Sequence, residues 1–266
     1  MMLPTLFVSH GSPMFALEPG RAGALLGALG RSLPRPRAVL VMSPHWMSPR
    51  LRVSASPRPQ TVHDFGGFPR ALYALQYPAA GAPELASDIV ALLVRQGVPA
   101  TSDPDQGLDH GAWVPLMHLY PEAGVPVVQI SQPVDPSPQA LLELGRCLAP
   151  LRAQGILIVG SGSMTHNLYE FRHGAAGETY AQGFADWIWD CVQQGAVETL
   201  LDYRRRAPAA LRAHPTDEHL LPLYFALGAA GEDWAQATRL AAGVSDGVLS
   251  MDSLVFGARL ERATDA

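Results

Sequence analysis

The sequence predicts one α/β domain: a central, largely parallel or mixed β-sheet with helices on both faces. Three observations carry this. Short runs rich in Val, Ile and Leu alternate with longer segments whose apolar residues recur at helical spacing. The runs are apolar at consecutive positions, as strands buried on both faces must be. The 266 residues, 48% of them hydrophobic, suffice for one sizeable core, and no repeat or linker-like composition shift divides them. A single domain over residues 1–266 is therefore expected.

In chain order, strands are expected over Leu3–Val8, Arg37–Met42, Val125–Ile130, Gly155–Val159 and Leu249–Phe256. Helices are expected over Arg21–Ser32, Pro83–Gln96, Pro136–Leu151, Glu178–Tyr203 and Glu218–Leu227, the last capped by Thr216 or Asp217. A further apolar helix follows His110. The segment Ser48–Pro69, with four prolines and two glycines, reads as a long loop of the kind that builds a site.

Charged residues are only 16% of the chain, and the 19 basic ones, all Arg, leave a net charge of −5. A phosphate-backbone binder needs a positive excess, so nucleic acid is not an expected partner. Arg204-Arg205-Arg206 reads as a solvated helix face. Cys147 and Cys191 lie in apolar helical stretches without metal-site or disulfide spacing, which fits a reducing compartment. No basic leader or membrane-length apolar run is seen, so a cytoplasmic protein with no membrane contact is expected.

Nine histidines are present, and their placement matters more than their number. His10, His45 and His166 each fall just beyond a predicted buried strand, at the sheet edge where open α/β folds bind ligands. Glu218 and His219 fall at a helix start. Together these residues offer a nitrogen and oxygen donor set for Fe(II), Zn(II) or a similar ion. His110 has Asp109 beside it, a carboxylate able to orient the ring, and is either a general acid/base or a backbone-bonded helix-start imidazole. His63, next to Asp64 and two glycines, either meets a ligand or ties down its own turn. His118 reads as a core histidine, while His173 and His214 carry no assignment. Gly160-Ser161-Gly162 is too short to be a phosphate loop.

The ordered motifs FVSHGSPM, VMSPHW, TVHDFGGFP, DHGAWVPLMHLYP, VVQIS, GSGSMTHNL and PTDEHLLPLYFALGA resemble the class III extradiol ring-cleavage dioxygenases, nearest to the 4,5-DOPA dioxygenase branch. The resemblance runs from about Leu3 to Phe256. It implies a non-heme Fe(II) enzyme acting on a catechol and O2; because histidine-rich sites bind Zn(II) more tightly than Fe(II), zinc is an expected occupant of purified protein. It puts His10, His45 and His219 on metal positions and His166 on either a further ligand or the acid/base. His110 is the alternative base, and His63 and Asp64 are substrate-side contacts. The broader family holds iron with two histidines and one glutamate, so the pair Glu218-His219 leaves open which of them faces the metal. Two other readings use the same residues: a zinc-dependent hydrolase, and a non-enzymatic binding protein like the Memo proteins, which resemble this fold. The apolar helices are compatible with a homodimer.

Overall fold

The computed structural model describes residues 2–171 and 178–258. In chain order its elements are β1 (Thr5–Ser9), α1 (Gly20–Ser32), β2 (Ala38–Ser48), β3 (Leu51–Ser54), α2 (Arg70–Tyr73), α3 (Pro83–Arg95), β4 (Ala100–Asp103), α4 (His110–Leu119), β5 (Val127–Pro133), α5 (Pro138–Leu148), β6 (Ile156–Gly162), α6 (Glu178–Gln193), α7 (Val197–Leu201), α8 (Tyr203–Arg206), α9 (Ala210–Ala213), α10 (Pro222–Ala230), β7 (Ala237–Leu240), β8 (Val244–Ser245), β9 (Leu249–Ser250) and β10 (Ser253–Phe256). Eight strands form one mixed sheet in the order β4-β3-β5-β2-β6-β1-β10-β7, and β8 with β9 forms a small ribbon. The four central strands, β5, β2, β6 and β1, run parallel. β10 and β7 add antiparallel strands on one side. β3 meets β5 antiparallel on the other and carries β4.

Strand alternation explains why both faces of the centre are apolar. Phe7, Leu40, Met42 and Ile158 point into one core with α3, α5, α6 and α10, whereas Leu6, Val8, Val39, Val41 and Val159 point into the other with α1 and α4. The parallel strands therefore bring their carboxyl ends to one edge, between two helical layers, and the five residues of β1 are all buried.

The expected central strands and most helices are present with small shifts in their ends. β3, β4 and β7 had no signal because they are four-residue strands at or next to the sheet edges, with polar, partly exposed residues. Consequently Ser48–Pro69 is a loop only beyond Ser54. The expected helix Glu178–Tyr203 breaks at Gly195, whose φ of +67° no helix continues through. The expected helix from Glu218 begins instead at Pro222, whose missing N–H suits a first turn. Glu218 and His219 lie in the preceding turn, which Leu220 and Leu221 close by donating their N–H groups to the Asp217 carbonyl. The run Leu249–Phe256 is split between β9 and β10 at the buried Asp252, which pairs with Arg239 and accepts from the Ala242 and Gly243 N–H groups.

Leu40 is fully buried in the central strand β2, so Leu40→Ala should destabilise the fold by about 2–5 kcal/mol. Val94 on α3 is 53% exposed, and Val94→Ala should change stability by less than about 0.5 kcal/mol. Urea unfolding of both variants checks the contrast; equal losses would contradict this placement of the core.

Candidate active site

Five histidines from five different segments meet at the carboxyl edge of the sheet. His10 follows β1, and His166 follows β6 after a short loop. His219 sits in the turn before α10, and His110 opens α4. His45 comes from an irregularity in β2: pairing with β5 runs to Ser43↔Ser131 and resumes at Met47↔Gln132, which loops Pro44-His45-Trp46 out of the ladder. Bulges commonly re-aim a side chain next to a site, and Pro44 has no N–H to lose from the ladder. Ring centroids lie 5.0 Å apart for His10 and His45, 5.4 Å for His10 and His219, 5.1 Å for His45 and His219, and 3.9 Å for His45 and His110. The five imidazoles line a cavity of about 310 Å3 whose other walls include Pro13, Phe65, Phe68, Leu168, Phe171 and Leu249.

Close backbone approach permits this crowding. A Cβ on Gly162 would lie 2.1 Å from the His219 carbonyl oxygen, and one on Gly111 would lie 2.3 Å from Ser43 Oγ and 2.9 Å from His45 Cδ2. Gly160-Ser161-Gly162 thus lets the turn bearing His219 lie against β6, with Ser163 N–H donating to the His219 carbonyl at 2.8 Å.

Hydrogen bonds then set the direction of each ring. Ser161 donates its hydroxyl to the Gly111 carbonyl, so its oxygen, 3.0 Å from His10 Nδ1, accepts from that nitrogen. His10 Nε2 is left with its lone pair. His219 Nδ1 donates to Glu218 Oε1 at 3.1 Å, while its Nε2 is buried with no partner among the described residues. His45 Nδ1 lies 3.5 Å from Asp64 Oδ2, and its Nε2 faces His10 Nε2 at 3.2 Å. His110 Nδ1 donates to Asp64 Oδ2 at 2.9 Å.

Burial, followed by mutual repulsion among the rings, pushes His10 and His219 well below the usual histidine range. It takes His45 to about 3 and His166 to about 4. The rings are therefore neutral at pH 7, the form that ligates metals. Donor atoms of His10, His45 and His110 lie within 4.8 Å of one another, as do those of His166, Glu218 and His219. Two Nε2 atoms 3.2 Å apart and an unpartnered buried Nε2 lining the same cavity form a donor set that fits a cation, and imidazole nitrogen suits iron or zinc.

The chain matches the family described as the catalytic LigB subunit of aromatic ring-opening dioxygenase over residues 4–248. The chain belongs to the LigB family. It is 41% identical over 263 residues to a 4,5-DOPA dioxygenase extradiol of Escherichia coli K12, covering 96% of this chain and 95% of that one. It is 38% identical over 257 residues to a protein of the same name from Beta vulgaris, covering 95% and 96%. The crystal structure of an uncharacterized Escherichia coli K12 protein superposes with a TM-score of 0.76 at 34% identity, over 96% of this chain and all of that one.

Within this LigB-family site, the structure brings His10, His45, His110, His166 and His219 together and separates others that the sequence had grouped with them. His63 is not in the cavity wall; its Nε2 donates to the Leu75 carbonyl at 3.1 Å and ties down its own loop. Asp64 is also absent from that wall, and its carboxylate accepts from the main chain and the ring of His110. Asp109 does not orient the His110 ring: its carboxylate caps α4, accepting from Ala112 N–H and from the Gln129 amide. Between Glu218 and His219, the histidine lines the cavity and the glutamate stands behind it, facing a separate groove. His118 donates to the Phe15 carbonyl, as a core histidine would, and His173 lies outside the described residues. Ser161 and the aromatic wall escaped the sequence reading. Ser161 lies inside a buried strand, and the wall joins residues far apart in the chain. No helix among the described residues is long and apolar enough to cross a membrane.

Ser161→Ala removes the acceptor that orients His10, so metal affinity should fall by roughly 10–100-fold, measured by competition with a chromophoric chelator. An unchanged affinity would show that His10 is aligned without it.

The fully buried His214 donates Nε2–H to the Met164 carbonyl, and burial, the largest cause, takes it to about 3. Its folded-state value lies below that of the unfolded chain, near 6.5. The unfolded state therefore gains protons first as pH falls, and stability drops from about pH 6.5 downward by up to about 1.4 kcal/mol per pH unit for each such group. Urea midpoints between pH 7.5 and 5 should fall less steeply in His214→Gln than in the parent; equal slopes would mean that His214 charges within the fold.

Proposed function

We propose that this LigB-family chain is an extradiol dioxygenase that opens a catechol-type ring with both atoms of O2, at an Fe(II) ion held by His10, His45 and His219. The observation that carries this is the convergence of ring nitrogens on one cavity. His10 and His45 oppose Nε2 to Nε2 at 3.2 Å, and the unpartnered His219 Nε2 is buried in the same aromatic-walled cavity. The names of the relatives from Escherichia coli and Beta vulgaris support a DOPA-like substrate. When bound, iron supplies the centre at which catechol and O2 meet; zinc, which histidine sites bind more tightly, would fill the same donors in purified protein.

The protein's own contribution is to bind, align and move protons. Phe65, Phe68 and Phe171 give flat apolar surfaces that hold an aromatic ring and displace water. Glu218 keeps His219 in the Nδ1–H form, and Ser161 does the same for His10. His166 is the acid/base rather than a fourth ligand, on a geometric argument. Its ring stacks on that of His219 with centroids 3.5 Å apart and planes 7° from parallel. Imidazole lone pairs lie in the ring plane, and two such parallel planes do not meet at one ion. A neutral imidazole beside the ligand set can take a proton from a catechol hydroxyl and return it to the opened product. His110, whose Nδ1–H is committed to Asp64, offers Nε2 to the second hydroxyl.

Anaerobic loading with Fe(II), then O2 uptake recorded with visible absorbance, tests the reading on L-DOPA, caffeate, protocatechuate and catechol. One O2 consumed per yellow product is expected with at least one of them. No uptake by iron-loaded protein would overturn it in favour of a hydrolase, which consumes no oxygen, or of a binding protein. His10→Ala should lose the metal, whereas His166→Ala should keep it and lose at least about 100-fold in kcat. Metal loss in His166→Ala would make His166 a ligand.

A further inference from the structure

The segment between β3 and α2 puts one carboxylate behind two of the site histidines. Asp64 accepts from the His110 main-chain N–H through Oδ1 at 2.9 Å and from the His110 ring Nδ1–H through Oδ2 at 2.9 Å. The same Oδ2 stands 3.5 Å from His45 Nδ1. The rings of His45 and His110 are the nearest pair around it, with centroids 3.9 Å apart at 43°. The loop that delivers Asp64 is itself anchored: Val62 N–H donates to the Leu108 carbonyl, Leu108 N–H to the Gln60 carbonyl, and Trp113 Nε1–H to the Val62 carbonyl. Gly107 admits this contact, since a Cβ there would lie 2.5 Å from the Gln60 oxygen. Asp64 is outside the cavity wall, while its neighbour Phe65 is in it.

We infer that Asp64 is a positioning residue: it fixes His110 in the Nδ1–H tautomer, with Nε2 turned to the substrate space, and aligns His45 so that its Nε2 faces His10. An imidazole with two free nitrogens would place its proton on either one. Binding both the main chain and the ring of His110 removes that freedom, because a carboxylate only accepts. The same oxygen facing His45 Nδ1 gives a metal-side ring and a proton-handling ring one common support. The loop therefore contributes twice, with Phe65 as wall and Asp64 as orienter. That His110 meets a substrate hydroxyl rests on the dioxygenase reading; the tautomer assignment does not.

The experiment is long-range proton–nitrogen NMR of the 15N-labelled full chain at pH 7.5, with the His110 signals identified by their loss in His110→Gln. The unmodified protein should show His110 as the Nδ1–H tautomer. In Asp64→Asn the amide oxygen still accepts from the His110 N–H, but the NH2 group now points at Nδ1, so the ring should switch to the Nε2–H form. With Fe(II) and a catechol, kcat should then fall at least about 100-fold with KM changed less than about three-fold. Rescue is expected in neither Asp64→Asn nor Asp64→Ala, since both lack the second acceptor oxygen. An Nε2–H ring in the unmodified protein, or the same tautomer before and after Asp64→Asn, overturns the assignment. If Asp64→Asn does not fold, the tautomer of the unmodified chain decides. Because the spectra need no catechol, a tautomer switch in Asp64→Asn together with no ring opening by the iron-loaded unmodified protein refutes the dioxygenase reading and leaves the role of Asp64 standing.

Discussion

Burial and mutual repulsion push four imidazoles that share one cavity, His10, His45, His166 and His219, towards the neutral form. Everything else in the site follows from that constraint. Charging any one of them would add repulsion from its neighbours to the desolvation cost of a buried cation, which is why burial and mutual repulsion both lower His10 and His219. Outward acceptors then decide which nitrogen keeps the proton: Ser161 for His10, Asp64 for His110 and Glu218 for His219. What remains inside is a set of lone pairs.

The sheet supplies the rigidity that this demands. Parallel strands end together, so β1, β2 and β6 deliver His10, His45 and His166 to one edge without long connections. A bulge in β2 and the backbone approach at Gly111 and Gly162 take up the remaining distance. Each is a local departure from regular structure, and each lies against a site histidine. The site is thus assembled where the fold gives up ladder bonds and side chains, an exchange that a strand with both faces buried can sustain because its packing is elsewhere saturated.

Much of this was legible in the sequence because it is written in runs. Consecutive apolar residues identify the central strands, and a histidine after such a run sits at the strand end whatever the rest of the chain does. His10, His45 and His166 were found that way, and the motif order carried the family resemblance. What stayed hidden depends on contacts across the fold. Asp109 is adjacent to His110 in sequence, yet its N-cap position turns the carboxylate along the helix axis, and the ring finds Asp64 from 46 residues earlier. Glu218 and His219 are also adjacent, and only their different faces of one turn separate a cavity residue from its support. Ser161 is a small polar residue inside a buried strand, and nothing in its neighbours announces a role. His63 illustrates the reverse: a histidine in a promising motif whose ring is used to hold the loop.

The arrangement also sets a balance between stability and binding. An unpartnered buried Nε2 on His219 is unfavourable, and the surrounding packing must hold it in place. A cation that binds the folded site and not the unfolded chain stabilises the fold by mass action, by about 2.7 kcal/mol at a free concentration 100 times its dissociation constant. Protons compete for the same lone pairs, so acidification opposes both binding and folding. The supports behind the rings limit that competition, because each keeps the ring aimed inward while leaving its lone pair free. For this reason Ser161, Asp64 and Glu218, none of which needs to touch a substrate, belong to the working site as much as the histidines they hold.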